Sequence, residues 1–406
     1  MNKKKNPLES NLLQSLIASL ICILLGLLIG YIVLLAINPK GAGGAILAVV
    51  KNFLTYNKAS SRLKYFGNTL VKTAPLLMCA LAILFAYKVG LFNIGAAGQY
   101  CAGVALSLYA ALAWGWSWLP CMLLAMVGGA LLGAVSGLLK SYCNVNEVIS
   151  GIMLNWIMLY TANMILANVK EPTSPYTIQM RSFGSAAVLP TLGLDKLFND
   201  NTYVTLAIPL AIILAIVVDV VLNKTRFGYE LRATGNNKFA AKYCGMAEKR
   251  NIILTLVIAG ALSGLGASLL YQSGYEQWQV TASSVPAMGF NGIAATFLGG
   301  LNPIGTIFAS FFIQHITSGG AYVDKSLYCS QISDLITAII IYMCGFVLFL
   351  KTAMNNAAAR REERQRLAAG SADTAPETAL ASEPEQGAGT APAQAPADSE
   401  KGGEAQ

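Results

Sequence analysis

Asn223-Lys-Thr-Arg-Phe-Gly-Tyr-Glu-Leu-Arg-Ala-Thr-Gly-Asn-Asn-Lys-Phe-Ala-Ala-Lys-Tyr-Cys-Gly-Met-Ala-Glu-Lys-Arg250 separates two apolar runs, residues 203–222 and 251–271, and its reading decides the fold. The stretch carries seven Lys/Arg against two Glu. Each flanking run has the ~20 residues needed to cross ~30 Å of hydrocarbon as a helix. The polar island between them therefore lies at a membrane surface, and its basic bias assigns that surface to the cytoplasm. A chain reversal needs far fewer residues, so the island reads as a cytoplasmic docking element.

The rest of the chain carries the same pattern. Of its 406 residues 55% are hydrophobic and 12% charged, with a mean hydropathy of +0.55. A soluble domain carries about twice that charge fraction. Apolar segments recur at 12–37, 69–87, 91–113, 118–139, 147–168, 203–222, 251–271, 285–300, 303–317 and 331–350. The period-2 alternation of a membrane barrel is absent from the sequence. The expected fold is an all-α polytopic membrane protein of about ten transmembrane segments, because helices satisfy their own backbone polar groups in lipid. Segments 285–300 and 303–317 are short, Gly/Pro-interrupted and joined by Gly299-Gly-Leu-Asn-Pro-Ile-Gly305, the pattern of broken or re-entrant helices. The first run follows Met-Asn-Lys-Lys-Lys. It is too long for a signal's apolar core and lacks a small-x-small cleavage pattern, so it is expected to remain as the first helix.

Lys/Arg placement orients the chain. With the N-terminus inside, the inner set is Lys3 to Lys5, Lys88, Lys140, the seven of the island and five between Lys351 and Arg366, or 17 against 10 on the outer side. That favours N-in and C-in, although the cluster between Lys40 and Lys64 opposes it. The net charge of +8 joins a basic body, 22 Lys/Arg against 11 Asp/Glu in residues 1–350, to an acidic end, six against nine in 351–406. Basic loops facing anionic lipid account for that body without a nucleic-acid partner. The expected organisation is a cytoplasmic N-terminus over 1–11, a transmembrane domain over 12–350 containing the loop 223–250, a cytoplasmic helical extension over 351–369 and a disordered Ala/Gly/Pro/Glu-rich tail over 370–406. The outer loop 169–202 is long enough to fold over a pore mouth or meet an external partner.

Small residues recur at helical spacing. Ala125, Gly129, Gly133 and Gly137 form one row, and Gly260, Gly264 and Ser268 a second. In lipid, close backbone approach along such faces supplies the association energy, so both rows read as packing faces. A third row, Gly95, Gln99, Gly103 and Ser107, includes an amide that fits either packing or pathway lining.

No catalytic residue and no metal site is expected. The single His, His315, has no nearby Cys or acidic pair and reads as a packing residue. The Gly-x4-Gly-Lys-Ser/Thr phosphate loop does not occur, so the chain cannot itself hydrolyse nucleotide. The eight Cys lie mostly in or beside apolar runs without CxxC spacing, as packing residues. Glu147, Asp219 and Asp334 sit near segment ends, leaving no obvious carrier for ion coupling at the bilayer centre. Neutral polar and aromatic groups fall mid-segment or at breaks: Asn93 with Gln99, Asn155 with Trp156, and Phe290 with Asn291. Amides with aromatic faces suit an uncharged, hydrogen-bonding, planar solute such as a nucleobase or sugar. Each alone also fits an interhelical hydrogen bond.

Four stretches, in order, carry a family resemblance: Gly90-Leu-Phe-Asn-Ile-Gly-Ala-Ala-Gly-Gln99, Asn144-Val-Asn-Glu-Val-Ile-Ser-Gly-Ile-Met-Leu-Asn155, Gly228-Tyr-Glu-Leu-Arg-Ala-Thr-Gly-Asn236 with Ala240-Ala241 and Gly245, and Gly289-Phe-Asn-Gly-Ile-Ala294 leading to Gly299-Gly-Leu-Asn-Pro303. Over about residues 70–350 the chain resembles permeases of the ABC importer family for branched-chain amino acids and simple sugars, specifically its nucleoside-uptake branch. The resemblance implies a non-enzymatic, multi-pass subunit of the bacterial cytoplasmic membrane. Its implied partners are a second related permease, a cytoplasmic ABC ATPase with two fused nucleotide-binding halves that would hold ATP and Mg, and an extracellular substrate-binding lipoprotein. The solute would be a nucleoside, with a simple sugar as the alternative and an ion-coupled carrier as the runner-up from another class. The island then becomes the coupling loop, around Arg232, Gly235 and Met246. Residues 236–246 are expected to form a short helix seated in an ATPase groove, with Ala240, Ala241 and Gly245 allowing close contact and Arg232, Lys238 and Lys242 pairing with acidic groups. Asn236-Asn237 and Cys244 depart from the family loop.

Overall fold

Each of the ten apolar segments holds a helix. The computed structural model describes residues 11–169, 177–178, 180, 185–329, 332–347, 349–357 and 360. Residues 1–10, most of the expected extension over 351–369 and the expected tail over 370–406 lie outside that set. The chain divides into two units, Met1–Met354 and Asn355–Gln406. The helices of the first unit are α1 (Asn11–Ile37), α2 (Ala42–Lys51), α3 (Ala59–Lys88), α4 (Ala96–Ala113), α5 (Trp118–Cys143), α6 (Glu147–Leu166), α7 (Leu194–Leu197), α8 (Ala207–Lys224), α9 (Arg226–Asn236), α10 (Lys238–Tyr243), α11 (Glu248–Tyr271), α12 (Ala287–Leu298), α13 (Pro303–Gly319) and α14 (Ile332–Cys344). Two-residue strands β1 (Thr177–Ile178) and β2 (Trp278–Gln279) pair antiparallel, Thr177 opposite Gln279.

Among the described residues seven helices, α1, α3, α4, α5, α6, α8 and α11, are long and apolar enough to cross a membrane. The other three apolar segments give shorter helices: α12 has 12 residues, α13 has 17 and α14 has 13. The first two of these are the pair whose Gly/Pro content marked them as broken.

Local sequence sets the ends. Asn146 starts α6 by accepting the Val148 N–H at 2.9 Å, and Thr225 starts α9 by accepting from Gly228 at 3.0 Å. Asn302 caps α13 ahead of Pro303, whose missing N–H costs nothing at a first turn. Gly90, at φ +76, ends α3 in a backbone conformation that a side chain would strain.

α3 is buried without interruption from Thr73 to Ala86, and α8, α11, α12 and α13 pack around it. The tightest seam lies between α5 and α11. A Cβ on Gly129 would collide with the Gly260 carbonyl oxygen, one on Gly133 with that of Leu256, and one on Gly264 with that of Ala125. Gly137 sits 3.0 Å (as a built Cβ) from the Ile253 Cα. The two small-residue rows therefore face each other, backbone to backbone. Outward faces of α1, α5 and α8 stay apolar and open, as at Leu28, Leu131 and Ile213, because their solvent is hydrocarbon.

Two features differ from the sequence expectation. Residues 42–55, expected within an outer loop, form α2 and a 3-10 turn. Ala42, Ala45 and Val49 bury one side of that segment, while Lys51, Lys58, Arg62 and Lys64 remain exposed around it. The charges had masked a short amphipathic element. The island 223–250 is likewise helical for most of its length, and the expected single helix over 236–246 is instead α10 alone. Asn237 takes an extended conformation, φ −154°, which ends α9 and starts α10.

Candidate functional site

α9 and α10 form the polar element at the basic end of the bundle. Thr234 on α9 accepts a bond from Asn251 of α11 at 2.9 Å, and Gly235 lies so close to Val89 that a Cβ would sit 2.5 Å from its carbonyl carbon. These contacts fix α9 against α3 and α11. The Asn237 carboxamide oxygen accepts the N–H groups of Phe239 and Ala240, each at 3.0 Å. The unusual Asn of the loop sequence is thus an N-cap.

Placement divides the eight expected coupling residues. Lys238, Ala240, Lys242 and Gly245 face outward, and Arg232, Gly235 and Met246 are half-buried. Ala241 is 4% exposed and packs inward, against the permease itself. Gly245 has φ +79 and open space where a Cβ would stand, so it serves the turn after α10. Sequence reasoning missed two residues on the outward face: Phe239 is 65% exposed and Tyr243 is 93% exposed. They are four positions apart and share one side of α10. Their spacing after a capping Asn was the signal that could have found them, and the count of charges obscured it. Beside them a cavity of about 440 Å³ is lined by Gly90, Asn144, Asn237, Lys238 and Glu248 among others, with the Lys140–Glu147 ion pair at 2.7 Å on its wall.

The membrane-depth amides are bonded internally. Asn93 and Gln99 exchange two bonds, of 2.9 and 3.2 Å. Asn155 accepts the Gly98 N–H at 2.7 Å and donates to the Ile94 carbonyl at 3.1 Å. All three are buried. Together they brace the non-helical stretch between α3 and α4, and none has a free face in this conformation.

The aromatic members are placed differently. Trp156 is 43% and Phe290 42% exposed, while Asn291 is half-buried. Trp156 stacks with Tyr160, ring centres 6.3 Å apart and planes at 26°. Asn155 lies eight residues into α6, about 12 Å from its start, and touches Gly98. Gly289 meets the neighbouring Ala97, with 2.6 Å between a built Cβ and its Cα. The start of α12 therefore lies at the same membrane depth. At 12 residues, about 18 Å, α12 spans roughly half the bilayer, and no side chain caps its first turn. Exposed Ser283 and Ser284 lead into it. A half-helix start with free N–H groups, hydroxyls and aromatic faces can hold a neutral planar solute by stacking and hydrogen bonds.

His315 is fully used. Its Nε2 lies 2.9 Å from the Val50 carbonyl, which can only accept, so Nδ1 accepts from the Asn52 amide at 3.2 Å. The ring ties α13 to α2.

Residues 65–345 match the family described as branched-chain amino acid transport system / permease component, and the chain belongs to that family. It is a multi-pass protein of the cytoplasmic membrane and a transport subunit, not an enzyme. It is 33% identical over 303 residues to the nucleoside ABC transporter permease protein NupB of Lactococcus lactis, covering 72% of this chain and 82% of that one. The guanosine ABC transporter permease protein NupP of Bacillus subtilis is 31% identical over 322 residues, covering 76% and 91%. The glucose ABC transporter permease protein TsgB13 of Haloferax volcanii is 29% identical over 290 residues, covering 71% and 75%. No solved structure matches the chain.

Proposed function

We propose that this chain is the transmembrane permease subunit of an ATP-driven ABC importer that carries nucleosides into the cell. The observation that carries the reading is its likeness, over most of both chains, to permeases named for nucleoside and guanosine uptake. The glucose-named relative is less similar. The exposed Trp156, Tyr160 and Phe290 beside the uncapped start of α12 support a planar solute, since a nucleobase stacks on each face and hydrogen-bonds at its edge.

Such a permease works with an ATPase and a substrate-binding protein. In our reading the ATPase has two fused nucleotide-binding halves that hold ATP and Mg, a related permease completes a heterodimer, and a lipoprotein delivers the solute from outside. The N-in orientation puts α9 and α10 in the cytoplasm. Phe239 and Tyr243 seat in a groove of the ATPase, flanked by Lys238 and Lys242, and α9 transmits the pull to α3 and α11 through Gly235 and Thr234. Trp156 and Phe290 line the solute path.

Reconstitution with the partner subunits, and competition among purine nucleosides, pyrimidine nucleosides, ribose and galactose, tests this. Nucleosides should compete and free sugars should not. ATP-independent accumulation would overturn the importer assignment, and competition by galactose alone would overturn the substrate.

A further inference from the structure

Arg232 of α9 and Lys351, among the helical residues after 348, each lie within electrostatic reach of Lys88 at the end of α3, at the basic end of the bundle. Asp219 on α8 is the carboxylate within electrostatic reach of Lys88 there, and it accepts a hydrogen bond from the Asn223 side-chain amide at 2.8 Å. Among the described residues none of the three cations has an ion-pair partner. The Arg232 Nε is buried and has no hydrogen-bond acceptor. Its position is held by the fully buried Leu231 and by Gly235 against Val89. Crowded cations repel, and a buried donor without an acceptor costs free energy. One anion would relieve both.

We propose that Lys88, Arg232 and Lys351 bind the phosphodiester headgroup of an anionic phospholipid, with an acyl chain lying along the α3–α8 seam. Depth favours this occupant. Lys88 is the last residue of a membrane-crossing helix, and Asp219 lies five residues before the end of another, so the cations stand at headgroup level. Side chains flanking them on the outer surface, Ile216 and Val220 on α8 and Phe346 and Phe349 before Lys351, are exposed and apolar. Further along the same seam, α3, α8 and α13 enclose an apolar crevice of about 330 Å³ that includes Leu77, Ala211, Ile307 and Phe308. Only its near edge, at Ala211 and Leu77, comes within about 12 and 17 Å of Asp219 and Lys88 along their helices, where a chain spanning one ~15 Å leaflet would end. An ATPase carboxylate fits less well, because the cations stand at headgroup level beside exposed apolar side chains, while Phe239 and Tyr243 of α10 stand open to a protein partner.

The test is native mass spectrometry of the full importer in nanodiscs of phosphatidylcholine containing phosphatidylglycerol. Wild type should retain phosphatidylglycerol. The K88Q/K351Q variant should bind it about thirtyfold more weakly, and K88R/K351R should restore it. Millimolar inorganic phosphate should leave retention unchanged, as expected for a lipid-borne headgroup; displacement by phosphate would give the site to a free anion and overturn the proposal. Equal retention by wild type and K88Q/K351Q overturns it, as does unchanged retention coupled to loss of the ATPase, which would assign the cations to that partner. Independently of any variant, phosphatidylglycerol should raise the melting temperature of the wild-type importer over phosphatidylcholine alone, and an identical melting temperature in both counts against the site.

Discussion

Asn155 on α6 caps the start of α4 from a separate helix, accepting the Gly98 N–H at 2.7 Å while donating to the Ile94 carbonyl at 3.1 Å. Both backbone groups are at membrane depth, where water offers no substitute. Asn155→Leu leaves both unpaired, at about 1–3 kcal/mol each. We expect a clear drop in the melting temperature of the detergent-solubilised protein and a matching loss of uptake. Asn155→Asp keeps the acceptor and should fall between the two. An unaltered melting temperature in Asn155→Leu would mean that the brace contributes nothing.

Gly129 and Gly260 meet across the α5–α11 seam with no room for a side chain on either. Overpacking a close-packed interior costs about 1–3 kcal/mol or more, and the obstruction here is backbone carbonyl, which cannot swing aside. Gly129→Leu should therefore lower the yield of monodisperse protein on size exclusion far more than Leu131→Ala, a change on the exposed face of the same helix. Equal yields would show that the seam is looser than its geometry.

Much of this was legible in the sequence, because lipid imposes long apolar runs and small-residue rows that survive any detail of packing. The rows at Gly129 and Gly260 read as packing faces, and the structure sets one against the other. Other features depended on contacts distant in sequence. Nothing in the neighbourhood of Asn155 announces that its amide reaches Gly98 and Ile94, so its sequence fits both an interhelical hydrogen bond and a group open to solute. Residues 42–55 hid because Lys51 interrupts a run whose apolar side is only Ala42, Ala45 and Val49 deep. Phe239 and Tyr243 stand in a segment whose charge dominates its sequence, although the Asn237 cap fixes their common face.

The exposed pair on α10 gives a sharper handle on coupling than the basic residues do. Aromatic anchors dominate interfaces, with losses of about 2 kcal/mol or more on truncation, whereas exposed ion pairs contribute about 0–1 kcal/mol. Phe239→Ala with Tyr243→Ala should reduce co-purification of the ATPase at least about tenfold and abolish uptake, without shifting the melting temperature of the isolated permease. Lys238→Gln with Lys242→Gln should have the smaller effect. The reverse order, measured by pull-down, would return docking to the charges.

Trp156 and Phe290 make the last expectation. Each follows a residue that touches the first turn of α4, Asn155 on one side and Gly289 on the other, and each leaves its ring open. Stacking of a base on an aromatic face is worth about 1–3 kcal/mol, so Trp156→Ala should raise the half-saturating nucleoside concentration about fivefold or more. Trp156→Phe should recover part of that loss, because a smaller ring remains. Phe290→Ala should act in the same direction. Since neither side chain supports the helix starts, ATPase co-purification and melting temperature should stay at wild-type values in both variants. A variant that transports normally, or one that fails through loss of assembly, would take its residue off the solute path.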